Sequence, residues 1–130
     1  MRDYVILTDS CCDLTAEMAA ELGVEVLPLS LQMGGGVYYN YLDGRDIGFQ
    51  DFYARIRSGE LATTSAVNVG EVEEAMRAIL KAGKDILSIS FSSALSTTYQ
   101  STVIAAEELK GEFPEAKILT VDSLCASLGQ

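Results

Sequence analysis

From the N-terminus, the first patterned segment is residues 4–8 (YVILT), a β-branched and apolar run that ends in Asp9-Ser10. An uninterrupted apolar run of this length predicts a buried strand delivering polar residues at its carboxyl end. The spacing then changes to helical: Leu14, Met18 and Leu22 share a face, Asp13 or Thr15 is placed to cap it, and Gly23 supplies the stop. Residues 24–31 (VEVLPLSL) predict a second strand, with Pro28 best tolerated at an edge or near the strand's end. The chain thus opens β-α-β.

The glycines at 34–36 predict a turn, and VYYNYLDG after them a short strand or hairpin arm closed by Asp43-Gly44. Phe49, Phe52, Tyr53 and Ile56 fall at i, i+3, i+4 and i+7, the stripe of a short helix that Ser58-Gly59 ends. The ATTSAVNVGE segment reads as a polar connector. Beyond it Val72, Ala75, Met76, Ile79 and Leu80 repeat the helical spacing, with acids in the first turn, Lys81 in the last and Gly83 following, as the helix dipole and C-cap rules favour. Residues 85–91 (DILSISF) predict a strand and residues 95–110 a long helix with Leu95, Tyr99, Val103, Ala106 and Leu109 inward. Residues 117–121 (KILTV) predict a last strand. Strands alternating with helices imply an α/β domain with one mostly parallel sheet flanked by helices on both faces. The chain ends just after a strand, without the helix that this alternation would next supply, so a domain boundary or a free-standing domain is expected there.

At 130 residues and 48% apolar content, a single domain can bury a real core. The formal net charge of −10 and the lack of any Lys/Arg cluster argue against nucleic acid as a partner. The opening apolar run is too short for a secretion signal or a membrane span, so a cytoplasmic protein is expected. Cys11, Cys12 and Cys125 form an odd set with an adjacent pair, which disfavours a disulfide framework and favours a reducing compartment. The chain has no histidine. Ser-His-Asp and Cys-His nucleophile systems and His-ligated metal are therefore excluded within it.

In an open parallel sheet ligands sit outside the carboxyl ends of the strands. Four polar clusters are expected near that edge: Asp9-Ser10, Thr63-Thr64-Ser65, the stretch from Ser92 and Ser93 to Thr98, and Asp122-Ser123. All four lack Lys and Arg, so they offer neutral donors. The third belongs to LSISFSSALSTTYQST, where nine of sixteen residues are Ser or Thr. Ser96, Thr97 and Thr98 fall at the start of the long helix, where unpaired amides and the dipole favour an anion. Ser and Thr are also the commonest N-caps, and one of Ser92, Ser93 or Ser96 is expected to cap this helix in either case. The triple glycine is no phosphate loop, since no Gly-Lys-Ser/Thr follows. Cys11-Cys12 lacks a partner at CxxC spacing and reads as packed or inert. Asp9 and Asp122 read as capping or pairing groups rather than metal ligands, and no metal or other cofactor is expected.

Taken in order, TDSCCDL, VEVLPLSL, DG-D-FY, TTSAVNVGE, SSALSTTYQST and VDSLCASLGQ resemble the N-terminal domain of the DegV family, bacterial fatty-acid-binding proteins that serve as carrier subunits of fatty acid kinase. The resemblance runs nearly end to end. It implies a non-enzymatic lipid carrier whose partners are a long-chain fatty acid and the catalytic subunit of the kinase. Transient contact with a membrane is compatible with that role. It also implies that a Thr-Ser motif and a Ser-Ser-x-Leu-Ser-Gly-Thr-Tyr motif hold the carboxylate. Matched residue by residue, these point to Thr64 and Ser96, with Ser65, Ser93, Ser10, Ser123 and Thr97, the last through its amide, in support. The match departs from the family where Gln-Pro after Thr-Ser is Ala66-Val67, and where the glycine before Thr-Tyr is Thr97. The family's second domain, of comparable size, has no counterpart in this chain. Two other readings stay open on the residues alone. One is a small hydrolase or phosphatase using Ser96 or Asp9 as nucleophile, the other a non-catalytic interaction module.

Overall fold

The structure is a computed structural model, and residues 2–130 are described. β1 (Tyr4–Asp9) leads through a tight 3-10 turn (Ser10–Cys12) into α1 (Ala16–Leu22), then β2 (Val24–Leu27), β3 (Ser30–Met33) and β4 (Gly36–Tyr39). After α2 (Phe49–Arg57) come β5 (Ala62–Ser65), α3 (Val69–Lys81), β6 (Asp85–Ser90), α4 (Thr98–Glu112) and β7 (Ile118–Asp122). A second 3-10 turn spans Ser127–Gly129.

The strands form two sheets. A four-stranded parallel sheet has the order β2-β1-β6-β7, and a three-stranded antiparallel sheet has the order β4-β3-β5. The expected α/β class with a parallel sheet flanked by helices holds. The second sheet corrects two expectations. Residues 24–31 are two strands, parted at Pro28-Leu29 and belonging to different sheets, because proline lacks the N–H that an unbroken ladder needs. The segment read as a polar connector contains β5, a strand of Ala, Thr and Ser with three exposed residues.

The core lies between the parallel sheet and α3 and α4. Leu7, Leu27, Ile86 and Ile118 meet Val72, Met76, Leu80, Ala105, Ala106 and Leu109, all buried, with Val67 closing one end. Each large side chain so buried contributes about 1.5–3 kcal/mol. The crossovers β1-α1-β2 and β6-α4-β7 run to opposite edges of the sheet. With the usual right-handed connection this puts α1 and α4 on opposite faces. On the α1 face, Leu119 and Val121 are exposed.

The ends of α3 follow its sequence closely: Asn68 accepts from the Glu71 amide, and the Glu71 side chain reaches back to the Asn68 amide. At α1 it is Thr15 that caps, accepting from Met18, while Asp13 takes the left-handed backbone that ends the preceding turn. The inward face of α4 differs from expectation. It consists of Thr98, Thr102, Ala105, Ala106 and Leu109, whereas Leu95 lies before the helix and is exposed. Hydroxyls can face inward because they find partners there: Thr102 Oγ1 donates to the Tyr99 carbonyl at 2.7 Å and lies 3.4 Å from Ser90 Oγ.

Candidate functional site

β1 and β6 lie side by side at the centre of the parallel sheet, and the chain leaves them toward opposite edges. This is a topological switch point, and it opens a crevice outside the carboxyl ends of the two strands. Asp9 closes β1 there. Its carboxylate is buried and accepts from the Cys11 amide at 3.0 Å and the Phe91 amide at 2.9 Å, fixing both strand ends. Cys11 and Phe91 then line one wall of a cleft of about 670 Å³, in the range of small-molecule sites.

The loop after β6 forms the second wall. The Ser92 carbonyl accepts from the Leu95 and Ser96 amides, and the Ser92 amide is held by the Cys125 carbonyl at 3.0 Å. Asp122, at the end of β7, accepts from the Ser93 and Leu124 amides at 3.1 Å each. Hydrogen bonding from the Ser93 side chain first, then from these amides, holds the Asp122 carboxyl below its ordinary range. Asp122 is thus a staple for this loop. Ser93, Ala94, Leu95, Ser96 and Thr97 reach the cleft from it.

The antiparallel sheet supplies the third wall. Thr64 lies opposite Leu31 across the β3-β5 ladder, and directly paired residues share a face, so Thr64 sits on the face that carries buried Leu31. Ser65 pairs with Ser30 and occupies the other face. Leu29 and Ala66 complete the lining.

Of the candidate residues, the structure brings together Thr64, Ser93, Ser96 and Thr97. Ser10, Ser65 and Ser123 lie outside the cleft lining. Ser10 Oγ accepts from the Leu29 amide at 3.0 Å and from Asn40 Nδ2 at 3.2 Å, which ties the two sheets together. Ser123 Oγ is engaged with the backbone of Cys125. Thr97 precedes the first residue of α4 with φ −84° and ψ 0°, and its side chain makes no capping bond. With φ negative, this backbone does not require glycine. The expected capping serine acts one residue early, since Ser96 Oγ accepts from the Thr98 amide at 3.2 Å.

Sequence reasoning did not place Cys11, Leu29 or Phe91 at this site, because an apolar side chain in a turn carries no chemical signature. Burial, reinforced by the Asp9 carboxylate, pushes the Cys11 thiol up to about 12, so it stays protonated at neutral pH. No Lys or Arg lines the cleft, which presents neutral donors between apolar walls. Such a cleft can hold the oxygen atoms of a head group and give an attached chain an apolar exit. It has no base beside Ser96 to make a nucleophile of it.

Residues 3–130 match the family model for uncharacterised proteins of the DegV family. The chain belongs to the DegV family. A DegV domain-containing protein of Clostridium perfringens is 39% identical over 130 residues, covering 100% of this chain and 44% of that protein. Among solved structures, a stearic acid-binding protein from Eubacterium ventriosum superimposes with a TM-score of 0.85 and 27% identity. That match covers 95% of this chain and 42% of the other. A fatty-acid-binding DegV family protein from Thermus thermophilus gives a TM-score of 0.82 and 31% identity, over 98% of this chain and 43% of the other. This DegV-family chain thus spans less than half the length of the relatives it matches. No helix among its described residues is long and apolar enough to cross a membrane.

Proposed function

We propose that the chain binds a long-chain fatty acid, holds its carboxylate through the hydroxyls of Thr64 and Ser96, and presents it to a partner fatty acid kinase without catalysing a reaction itself. The observation that carries this reading is the convergence of these two hydroxyls, one from β5 of the antiparallel sheet and one from the loop after β6, in a cleft walled by Leu29, Phe91 and Leu95 and free of cations. The stearic acid-binding and fatty-acid-binding proteins of the same fold support the ligand class.

The neutral lining suits the role. A carboxylate that must attack a phosphoryl donor is better held by hydroxyls than by arginine, because a tight ion pair lowers its nucleophilicity and is costly to desolvate. Each methylene buried along the apolar walls contributes about 0.8 kcal/mol, so the tail supplies most of the affinity and the hydroxyls set its direction. Asp9, the other candidate nucleophile, already gives both oxygens to backbone amides.

Native mass spectrometry of the chain purified from a bacterial host tests the reading. A co-purified fatty acid is expected in the wild type and absent in a Thr64→Val, Ser96→Ala double variant. Equal retention by both proteins, or no acid in either, overturns it. Addition of a bacterial fatty acid kinase and ATP to the loaded protein is expected to yield acyl phosphate only with both proteins present.

A further inference from the structure

We infer that Thr98 is a positioning residue for the head group: it touches no ligand, but fixes the Ser96 hydroxyl as a donor toward the cleft. The inference rests on the fatty-acid reading above and adds a residue to it.

Thr98 is the first residue of α4 and is 1% exposed, on the helix face that packs toward the sheet. It meets Ser96 twice. Its amide donates to Ser96 Oγ at 3.2 Å, and its own Oγ1 lies 3.0 Å from the same atom. A serine hydroxyl has two acceptor lone pairs and one proton. When the Thr98 hydroxyl donates, both lone pairs of Ser96 are taken up by Thr98, and the Ser96 proton is left over for the cleft. In the opposite arrangement Ser96 donates to Thr98 and turns only its one remaining lone pair toward the ligand.

A carboxylate is acceptor-only, so it binds the first arrangement and is repelled by the second. Thr98 Oγ1 has no other partner among the described residues, which leaves its proton free to take the first arrangement. Donation into Ser96 also polarises the Ser96 O–H, strengthening the bond it makes outward. Because Thr98 is buried in the helix start and Ser96 is half-buried at the cleft, the pair passes rigidity from the packed interior to the binding surface.

Calorimetric titration of the purified chain with stearate tests this across Thr98→Val, Thr98→Ser, Ser96→Ala and the Ser96→Ala, Thr98→Val double variant. Thr98→Val is expected to weaken binding about five-fold, the worth of one net hydrogen bond. Thr98→Ser is expected to bind like the wild type, and Thr98→Val to add nothing once Ser96 is alanine. Thr98→Ala serves the same comparisons if the valine variant fails to fold. Unchanged affinity in Thr98→Val, or the same loss in the Ser96→Ala background, overturns the inference while leaving the fatty-acid reading standing. No stearate binding by the wild type, or full binding by Ser96→Ala, overturns the Ser96 assignment and the inference with it.

Discussion

The Asp9 carboxylate accepts from the Phe91 amide at 2.9 Å across 82 positions of sequence, while its second oxygen holds the amide of Cys11. One buried side chain therefore fixes both residues of one wall of the cleft. Asp9→Ala leaves two amides without their partner, and each buried unsatisfied group costs about 1–3 kcal/mol. Urea unfolding is expected to show a loss of about 2 kcal/mol or more, and a change within error would show that water replaces the carboxylate.

Asp9 also raises the Cys11 pKa, second only to burial. In Asp9→Asn the negative neighbour is gone and the thiolate costs less to form. Cys11 is then expected to react faster with iodoacetamide at pH 8, read by peptide mass spectrometry with Cys125 as internal reference. A slower or unchanged rate at Cys11 contradicts the assignment.

The same thiol makes stability depend on alkaline pH. Its folded pKa, about 12, lies above the ordinary 9.0, so the unfolded chain loses the proton first as pH rises. The contribution is whole below about pH 9 and is lost as pH climbs through about 12. Cys11→Ser removes this component, and its urea midpoint is expected to fall less steeply over that window than the wild type's. Parallel curves would show that the thiol titrates alike in both states.

Thr97 offers a test at the mouth of the cleft. Its φ of −84° places no demand for glycine, and its side chain caps nothing. Thr97→Gly is expected to change stability by a few tenths of a kcal/mol only. By clearing the approach to the start of α4 it is expected to tighten stearate binding. Weaker binding of the glycine variant would make the Thr97 hydroxyl a head-group ligand instead.

α2 is held differently from the other long helices, since it has no buried residue. Arg55 pairs with both oxygens of Glu60, at 2.6 and 2.8 Å, and donates to Tyr38 Oη at 3.2 Å. Gly34, at φ +57°, leaves room for that pair, because a Cβ there would strike the Glu60 carboxylate and Arg55. Arg55→Ala or Gly34→Ala is expected to speed amide exchange across α2 and leave α3 protected. Equal loss in both helices would mean that α2 unfolds only with the whole domain.

The parts of this fold written in apolar spacing were legible: β1, β6, α3 and the alternation that gives the parallel sheet. β5 was not, because Ala62, Thr63, Thr64 and Ser65 carry no strand-like hydrophobic alternation, and its pairing with β3 is set by tertiary contact. Pro28 was visible but read as tolerated within one strand, since a proline shows where a ladder can stop and says nothing of which sheet the chain joins next. In α4 the inward face reads through Thr98 and Thr102, and threonine looks polar until its buried partners are known. The hydroxyls of the cleft were found as candidates by residue type and resemblance. Separating Thr64, Ser93, Ser96 and Thr97 from Ser10, Ser65 and Ser123 took the geometry, because these serines and threonines differ only in the direction they face.

Thr64 lies on the antiparallel sheet and Ser96 on the loop that leaves the parallel one, and the two sheets share no ladder, being joined by the chain at Pro28-Leu29 and by the small knot of Ser10, Leu29 and Asn40. On the proposed reading, a carboxylate spanning the two hydroxyls is a removable cross-link between two separately built halves. Anything that draws the halves apart opens the grip without touching the acid, and anything that presses them together delays its release.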